Sequence, residues 1–389
     1  MSSGFLMPDP ILGTKDLDDE FITDAWLVDQ YVGNTLFSWG QNVNGSLGNG
    51  NAASYSSPIQ VGSLTNWTQI SCGSMHTMSV KTDGTLWAWG YNGFGQLGKS
   101  TTTNYSSPVQ VGTLTNWKQV SCGYGHTMAI KTDGTLWGCG YNGYGEIGNG
   151  SSTGYSSPIQ VGTLTKWKQV AAGNHCTLAI KTDGTLWAVG WNTRGQLGKS
   201  TLTSYSSPIQ IGSLTTWKQV ACGEFHTLAV KTDGTMWSWG YNSTGQLGNG
   251  TSSLSVYYSS PIQVGSLTNW KQVSASFLST MALKTDGTLW GCGYNFQGQL
   301  GLGTTASFSS PVQVGSLTNW KQVTMAPNNT VALKTDGTIW ACGYNTYGQL
   351  GNGNITPYSS PIQVGSLTNW KQVACSYGSV VAITYANIT

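Results

Sequence analysis

A 50-residue period constrains this chain more than any other feature. A pattern built on Leu-Trp, then Gly-Tyr-Asn, then Gly-Gln-Leu-Gly recurs around Trp87, Trp137, Trp187, Trp237, Trp290 and Trp340, at steps of 50, 50, 50, 53 and 50 residues. Phe37 in TLFSWGQN stands 50 residues before Trp87 and opens a divergent seventh copy. A second pattern, Trp-Lys-Gln-Val, recurs at Trp67 (as WTQI), Trp117, Trp167, Trp217, Trp270, Trp320 and Trp370. Seven units and one three-residue insertion near Val256 account for everything after residue 36. A fixed period of this size means one structural unit stacked repeatedly, because a single unit cannot bury its own apolar face.

Each unit reads as four strands. A proline opens the first (PVQVGTL from Pro108), WKQVSCG from Trp117 is the second, and HTMAIK from His126 is the third. A Thr-Asp-Gly turn leads to the fourth, TLWGCGYN from Thr135. Asp133-Gly134 is a strong hairpin signal, since Gly accepts positive φ and Asp bonds nearby backbone. No repeat carries a sustained helical period. The expected fold is all-β, a seven-bladed β-propeller of four-stranded antiparallel blades. The repeats begin on a fourth strand and stop after a third, so the N-terminal strand is expected to complete the C-terminal blade and remove an open edge.

Composition agrees. The 389 residues include 53 Gly and 18 Trp, while charged residues make up only 8%, about a third of the usual share. Eighteen Trp and 18 Tyr argue for a packed core rather than disorder. A net charge of +2 excludes a strongly electrostatic nucleic-acid binder, so no nucleic acid is expected as partner. No apolar run reaches the length of a membrane-spanning helix, so no membrane insertion is expected.

The segments GYNGFGQLG (Gly90 to Gly98), CGYGHTMAIKTDGTLW (Cys122 to Trp137) and the Pro-Ile-Gln-Val openings resemble regulator of chromosome condensation repeats. The resemblance covers about 350 residues. It implies a seven-bladed propeller, and the roles such propellers serve: exchange factor, scaffold or binding module. The family's exchange factor uses an extra wedge inserted in one blade, and a basic tail. This sequence has only the three-residue insertion and an acidic leader, so no exchange-factor residue is carried across.

Residues 1–34 are that leader, an expected docking extension before a propeller domain at 35–389. It holds Asp9, Asp16, Asp18, Asp19, Glu20, Asp24 and Asp29 against Lys15. It lacks the basic and apolar regions of a secretory signal. DLDDEFITDAWLVDQYV reads as a short amphipathic helix with acids at its positive end. Two readings fit it: a flexible tail or strap across the propeller, or a docking segment using Phe5, Leu17, Phe21, Ile22, Trp26 and Val28.

Chemical motifs dissolve under comparison of the repeats. Gly93 to Ser100 spells a phosphate-binding loop, but TTTNYSSP follows it and cannot be the required helix. His76, His126 and His226 share one repeat position with Cys176, Ser279, Asn329 and Ser379, which points to a local hydrogen bond at a strand start. Equivalent sites on separate blades are too far apart to share a metal. Cysteines occupy slots shared with Ala, Val, Met and Trp and read as small buried hydrophobes. Lys81, Lys131, Lys181, Lys231, Lys284 and Lys334 each precede an Asp by two residues and are expected to be balanced by it. Lys118, Lys168, Lys218, Lys271, Lys321 and Lys371 follow the repeat tryptophan and have no such partner. No enzyme, cofactor or metal is expected.

In so uniform a frame, departures carry the information. The loop between the second and third strands differs in every unit, and the stretch before Ser-Ser-Pro varies too. Loops on a rigid scaffold are the usual recognition sites, and aromatics mixed with Ser, Asn and Gly make an adaptable surface. The expected ligand-binding face is therefore Met75, Tyr124, Asn174, His175, Glu224, Phe225, Phe277, Leu278, Asn328 and Tyr377. Trp191, Phe225 and Tyr377 would serve as stacking platforms for a glycan. A non-secreted propeller with a short docking peptide is similar to bacteriophage structural proteins. The first expectation is thus a virion adhesin, on tail or capsid, made in the host cytoplasm. It would bind other virion proteins through residues 1–34 and a host surface protein or glycan through the loops. The alternative is a cytoplasmic regulatory scaffold or guanine-nucleotide exchange factor of the repeat family.

Overall fold

A computed structural model describes residues 33–385. These residues form twenty-eight strands, β1 to β28 in chain order, arranged as seven four-stranded antiparallel sheets. They contain no helix, and so none long and apolar enough to cross a membrane. The expected seven-bladed β-propeller is the observed fold.

One blade shows the logic of all. β3 (Trp67–Cys72) is innermost, followed by β4 (His76–Lys81), β5 (Leu86–Gly90) and the outermost β6 (Tyr105–Gln110). The blade order therefore differs from the sequence reading by one strand. The Tyr-Ser-Ser-Pro strand ends a blade, pairing with the Leu-Trp strand before it, instead of opening the next. Proline explains the placement, because it cannot donate to a ladder and is tolerated on an outer edge. The innermost strand is Trp-Lys-Gln-Val, whose register slips between Trp67 and Gln69.

The ring closes as the repeat register implies, with one strand more than expected. β1 (Leu36–Gly40) pairs along its length with β28 (Ser379–Thr384). β2 (Tyr55–Gln60) adds to the outside and β27 (Trp370–Cys375) lines the centre. The closing blade thus takes two strands from each end of the described chain.

Each blade is glued to the next by apolar layers and by side-chain belts. Met78, Leu86 and Leu97 of one blade pack with Trp117 and Val120 of the next. Within that next blade Trp117 and Trp137 meet edge-on at 6.1 Å, and Lys131 Nζ sits 3.6 Å from the centroid of the Trp137 ring. The lysines expected to be balanced by aspartate feel that charge from beyond 4.0 Å and are also held over two tryptophan rings of their own blade in cation–π contacts. The belt that crosses between blades is made of glutamines. Gln69 Nε2 donates to Val120 O at 2.9 Å, and Val120 N donates back to Gln69 Oε1 at 2.8 Å. Gln119, Gln169, Gln219, Gln272 and Gln322 repeat this link, and Gln372 reaches Ile70 O at 3.5 Å. Seven glutamine links therefore hoop the inner strands into a circle. The histidines form a partial second belt. His76, His126 and His226 each bond a threonine of the following blade at 3.0–3.1 Å, so their role is inter-blade rather than local. Burial pushes His76 down to about 3, and His126 and His226 to about 4.

Candidate functional site

Both sets of variable loops leave from one end of the blades. Cys72 pairs with Thr77, His76 with Gly90, and Gly90 with Tyr105. The β3–β4 and β5–β6 connections of this blade therefore share a face, with the Thr-Asp-Gly turn on the opposite one. The first of these connections surround one mouth of the central channel.

A single buried asparagine shapes each β5–β6 loop. Asn92 Oδ1 accepts from Leu97 N at 2.9 Å, while its Nδ2 donates to Thr101 O and Thr103 O, both at 2.9 Å. One amide thereby satisfies three backbone groups that the loop would otherwise leave unpaired. Asn142, Asn192, Asn295 and Asn345 do the same. At Gly95, φ is +79°, and a Cβ there would lie 2.5 Å from Ser156 Cα of the next blade. The loop tip is thus fixed against its neighbour. It also turns the preceding side chain, Phe94, toward the loop face, where it meets Tyr141 of the next blade.

The result is a continuous arc of rings across the loop face. Tyr91 contacts Phe94 at 5.9 Å, and Phe94 contacts Tyr141 at 5.3 Å. His175 then sits among Tyr124, Tyr141, Tyr144 and Trp191, with centroids 5.1–6.2 Å away. Tyr144 stacks on Trp191 at 5.4 Å. Trp191 meets Phe225, Phe225 meets Tyr241, and Tyr241 meets Tyr257. Arg194 closes the arc over Tyr241 and Tyr257 and hydrogen-bonds the Tyr257 hydroxyl. Phe94, Tyr124 and Tyr144 are exposed.

Carboxylates sit under and beside the rings. Glu146 is fully buried where five other repeats carry Gln. Like those glutamines it accepts a backbone N–H two residues earlier, from Tyr144 at 2.9 Å. Its other oxygen lies 3.4 Å from His175 Nδ1. Glu224 lines the channel mouth. Burial raises its carboxyl above the ordinary range, against the pull of His175 and of a hydrogen bond from Asn174.

The structure gathers five of the ten expected loop residues here: Tyr124, Asn174, His175, Glu224 and Phe225. The others lie elsewhere around the mouth. Exposed Met75 touches Asn44, Phe277 packs on Tyr294, and Tyr377 projects half-exposed. Leu278 and Asn328 accept from Tyr294 N and Tyr344 N through their backbones. The leader residues Phe5, Leu17, Phe21, Ile22, Trp26 and Val28 lie outside the described residues. Sequence reading missed Phe94, Tyr144 and Arg194, which occupy one variable position in the Gly-Tyr-Asn loop, and Tyr257. The signal for Tyr257 was present, since the three-residue insertion lies in the long strand β18 (Ser253–Gln263) that carries it. The phosphate-loop spelling has no helix after it; Ser100 N is already bonded to Ser156 O. Burial pushes the thiols of Cys122, Cys292, Cys342 and Cys375 up to about 12, and all eight cysteines are free. No group of three His, Cys, Asp or Glu among the described residues is placed to hold a metal ion.

The RCC1-like domain profile matches residues 31–277, and the Regulator of chromosome condensation (RCC1) repeat profile matches 286–333 and 336–383. The chain belongs to the RCC1-like repeat family. Among solved structures of the same fold, Prp20p from Saccharomyces cerevisiae superposes with a TM-score of 0.81 at 20% identity, covering 96% of this chain and 97% of that one. Human WBSCR16 gives 0.82 at 22% identity, covering 91% and 99%. Yeast RCC1 (Prp20), solved bound to Kap60, gives 0.82 at 19%, covering 99% and 97%. No curated protein sequence matched. In this RCC1-like propeller the arc joins the repeat's own Tyr91, Tyr141 and Tyr241 to rings at positions that vary between units, among them Phe94, Tyr124, Tyr144 and Phe225.

Proposed function

We propose that this propeller is a non-enzymatic regulatory scaffold that binds a protein partner on its loop face, through the aromatic arc and Glu224. The observation that carries this reading is the arc itself. Large rings with the Glu224 carboxylate at the channel mouth beside them are suited to a partner segment that combines apolar or aromatic anchors with a cationic side chain. Family membership supports the reading. Prp20p is described with its binding to Gsp1p and histones, and yeast RCC1 with Kap60 bound, so propellers of this shape bind proteins. These relatives bear on the scaffold reading and not on a virion adhesin, whose anchor falls outside the described residues. The small insertion builds Tyr257 into the arc rather than projecting a wedge, which favours a scaffold over an exchange factor.

The test is affinity capture with the full chain and with Trp191→Ala/Tyr144→Ala. A partner held by the parent and lost by the double variant, at unchanged thermal midpoint, supports the reading. Equal recovery by both would sink it.

A further inference from the structure

The opposite face carries a different feature. Each Trp-Lys-Gln-Val strand slips register between Trp and Gln, so the intervening lysine is the unpaired residue of a bulge. Tryptophan points into the blade core and glutamine reaches the next inner strand, which leaves lysine for the solvent. Lys118, Lys168, Lys218, Lys271 and Lys321 are exposed, and Lys371 is half-buried over Tyr385. Because the glutamine hoop joins the inner strands edge to edge, these six form a ring around the turn-face mouth of the channel.

Nothing nearby neutralises it. No lysine of the ring has a carboxylate within 4.0 Å among the described residues. The aspartates of this face, Asp83, Asp133, Asp183, Asp233, Asp286 and Asp336, sit at turns further out. Each already accepts from a threonine N–H and hydroxyl, and each has its own lysine two residues earlier. Exposed Lys166 adds to the positive side. The Lys371 ammonium is held below its ordinary range by burial and by Lys321, as crowded like charges require.

The ring has one gap, at Thr68. That gap is where the chain comes in: Asn34 Nδ2 donates to Trp67 O at 3.0 Å. The preceding 32 residues carry seven acids against one lysine. Five of those acids fall within residues 16–24, and the nine residues from 25 to 33 reach about 30 Å when extended. That is ample for a ring whose neighbouring strands are joined by one glutamine side chain.

We propose that the lysine ring is a docking site for an acidic peptide segment, and that its occupant is residues 16–24 of this same chain. The leader joins the propeller at the one position where the ring lacks a lysine, and carries the complementary charge. The contact is electrostatic and so depends on salt, since raising ionic strength from 0.1 M to 1 M shortens the screening length from about 10 Å to about 3 Å.

Carbodiimide coupling of the full chain, read by mass spectrometry, tests this. Asp16, Asp18, Asp19, Glu20 or Asp24 should couple to ring lysines within one molecule, with yields falling at least five-fold at 1 M salt. Lys218→Glu/Lys271→Glu/Lys321→Glu, all exposed, should reduce coupling to the remaining lysines at least five-fold, with an unchanged circular dichroism spectrum. Coupling spread evenly onto Lys99 and Lys199 of the loop face would overturn the proposal. So would coupling found only between isotopically labelled and unlabelled copies, which would make the occupant a second chain. Displacement of the leader by RNA or anionic vesicles but not by poly-glutamate would likewise overturn it. Each result is independent of the loop-face partner.

Discussion

The two faces of the propeller are built on different rules. The loop face differs from blade to blade: Phe94, Tyr144, Arg194 and Thr244 occupy one equivalent position, and only part of the circle is paved with rings. The turn face is nearly the same in every blade, with six Thr-Asp-Gly turns and six lysines after the inner tryptophan. Variation makes a local, shaped site that one partner segment can read. Repetition makes a ring whose charge sums but whose shape says little. A directional partner belongs on the first and a charge-matched segment on the second.

The largest effects should come from the loop scaffold. Asn192→Leu leaves Leu197 N, Thr201 O and Thr203 O without their partner. It should cost about 3 kcal/mol in urea unfolding and disorganise the arc around Trp191. A change below about 1 kcal/mol would mean the loop holds itself.

The inter-blade histidines come next. His226 is neutral when folded, with its pKa lowered from 6.5 to about 4. The unfolded chain therefore binds the proton first, and stability should fall as pH drops from about 6.5 toward 4. The loss from this residue amounts to about 3 kcal/mol. His226→Asn, the residue found at position 329, should flatten that slope in urea midpoints taken at pH 7, 5.5 and 4.5. An unchanged slope would remove His226 as a contributor.

Trp191→Ala should weaken partner binding by about 2 kcal/mol, roughly thirty-fold, in calorimetric titration. The same partner should bind Lys218→Ala within two-fold; a large loss there would erase the distinction between the faces. The smallest effect sharpens the contrast. Asp183→Ala removes one acceptor from a turn whose backbone still closes, since Gly184 N bonds Lys181 O. It should cost about 1 kcal/mol by thermal melt.

The period, the four strands per blade and the splice of the two ends were all legible in the sequence, because they follow from spacing alone. The blade boundary was not. Tyr-Ser-Ser-Pro leads directly into the next tryptophan strand in sequence, and only hydrogen bonding shows that it belongs to the blade behind. The lysine–aspartate spacing pointed to local charge balance, which acts from beyond 4.0 Å, but it gave no sign of the two tryptophan faces on which each lysine rests. For the site, the variable β3–β4 loops were visible as departures. The arc was not, because its members come from two loop sets on neighbouring blades that no linear window joins. Glu146 was missed, although it is a glutamate where five other repeats carry glutamine, and it takes the fold to set His175 beside it.

The spliced blade also bears on how the protein is made. Thr35 and Thr384, which meet at the closure, are 349 residues apart. At synthesis rates of about 5–20 residues per second, β1 waits roughly 17–70 s for its partner to emerge. Through that interval its sheet edge is a template open to any other strand, including those of a neighbouring nascent copy whose repeats are almost identical. Ring closure is thus a race between a chain and its siblings, and crowding on the ribosome is the condition under which it would be lost.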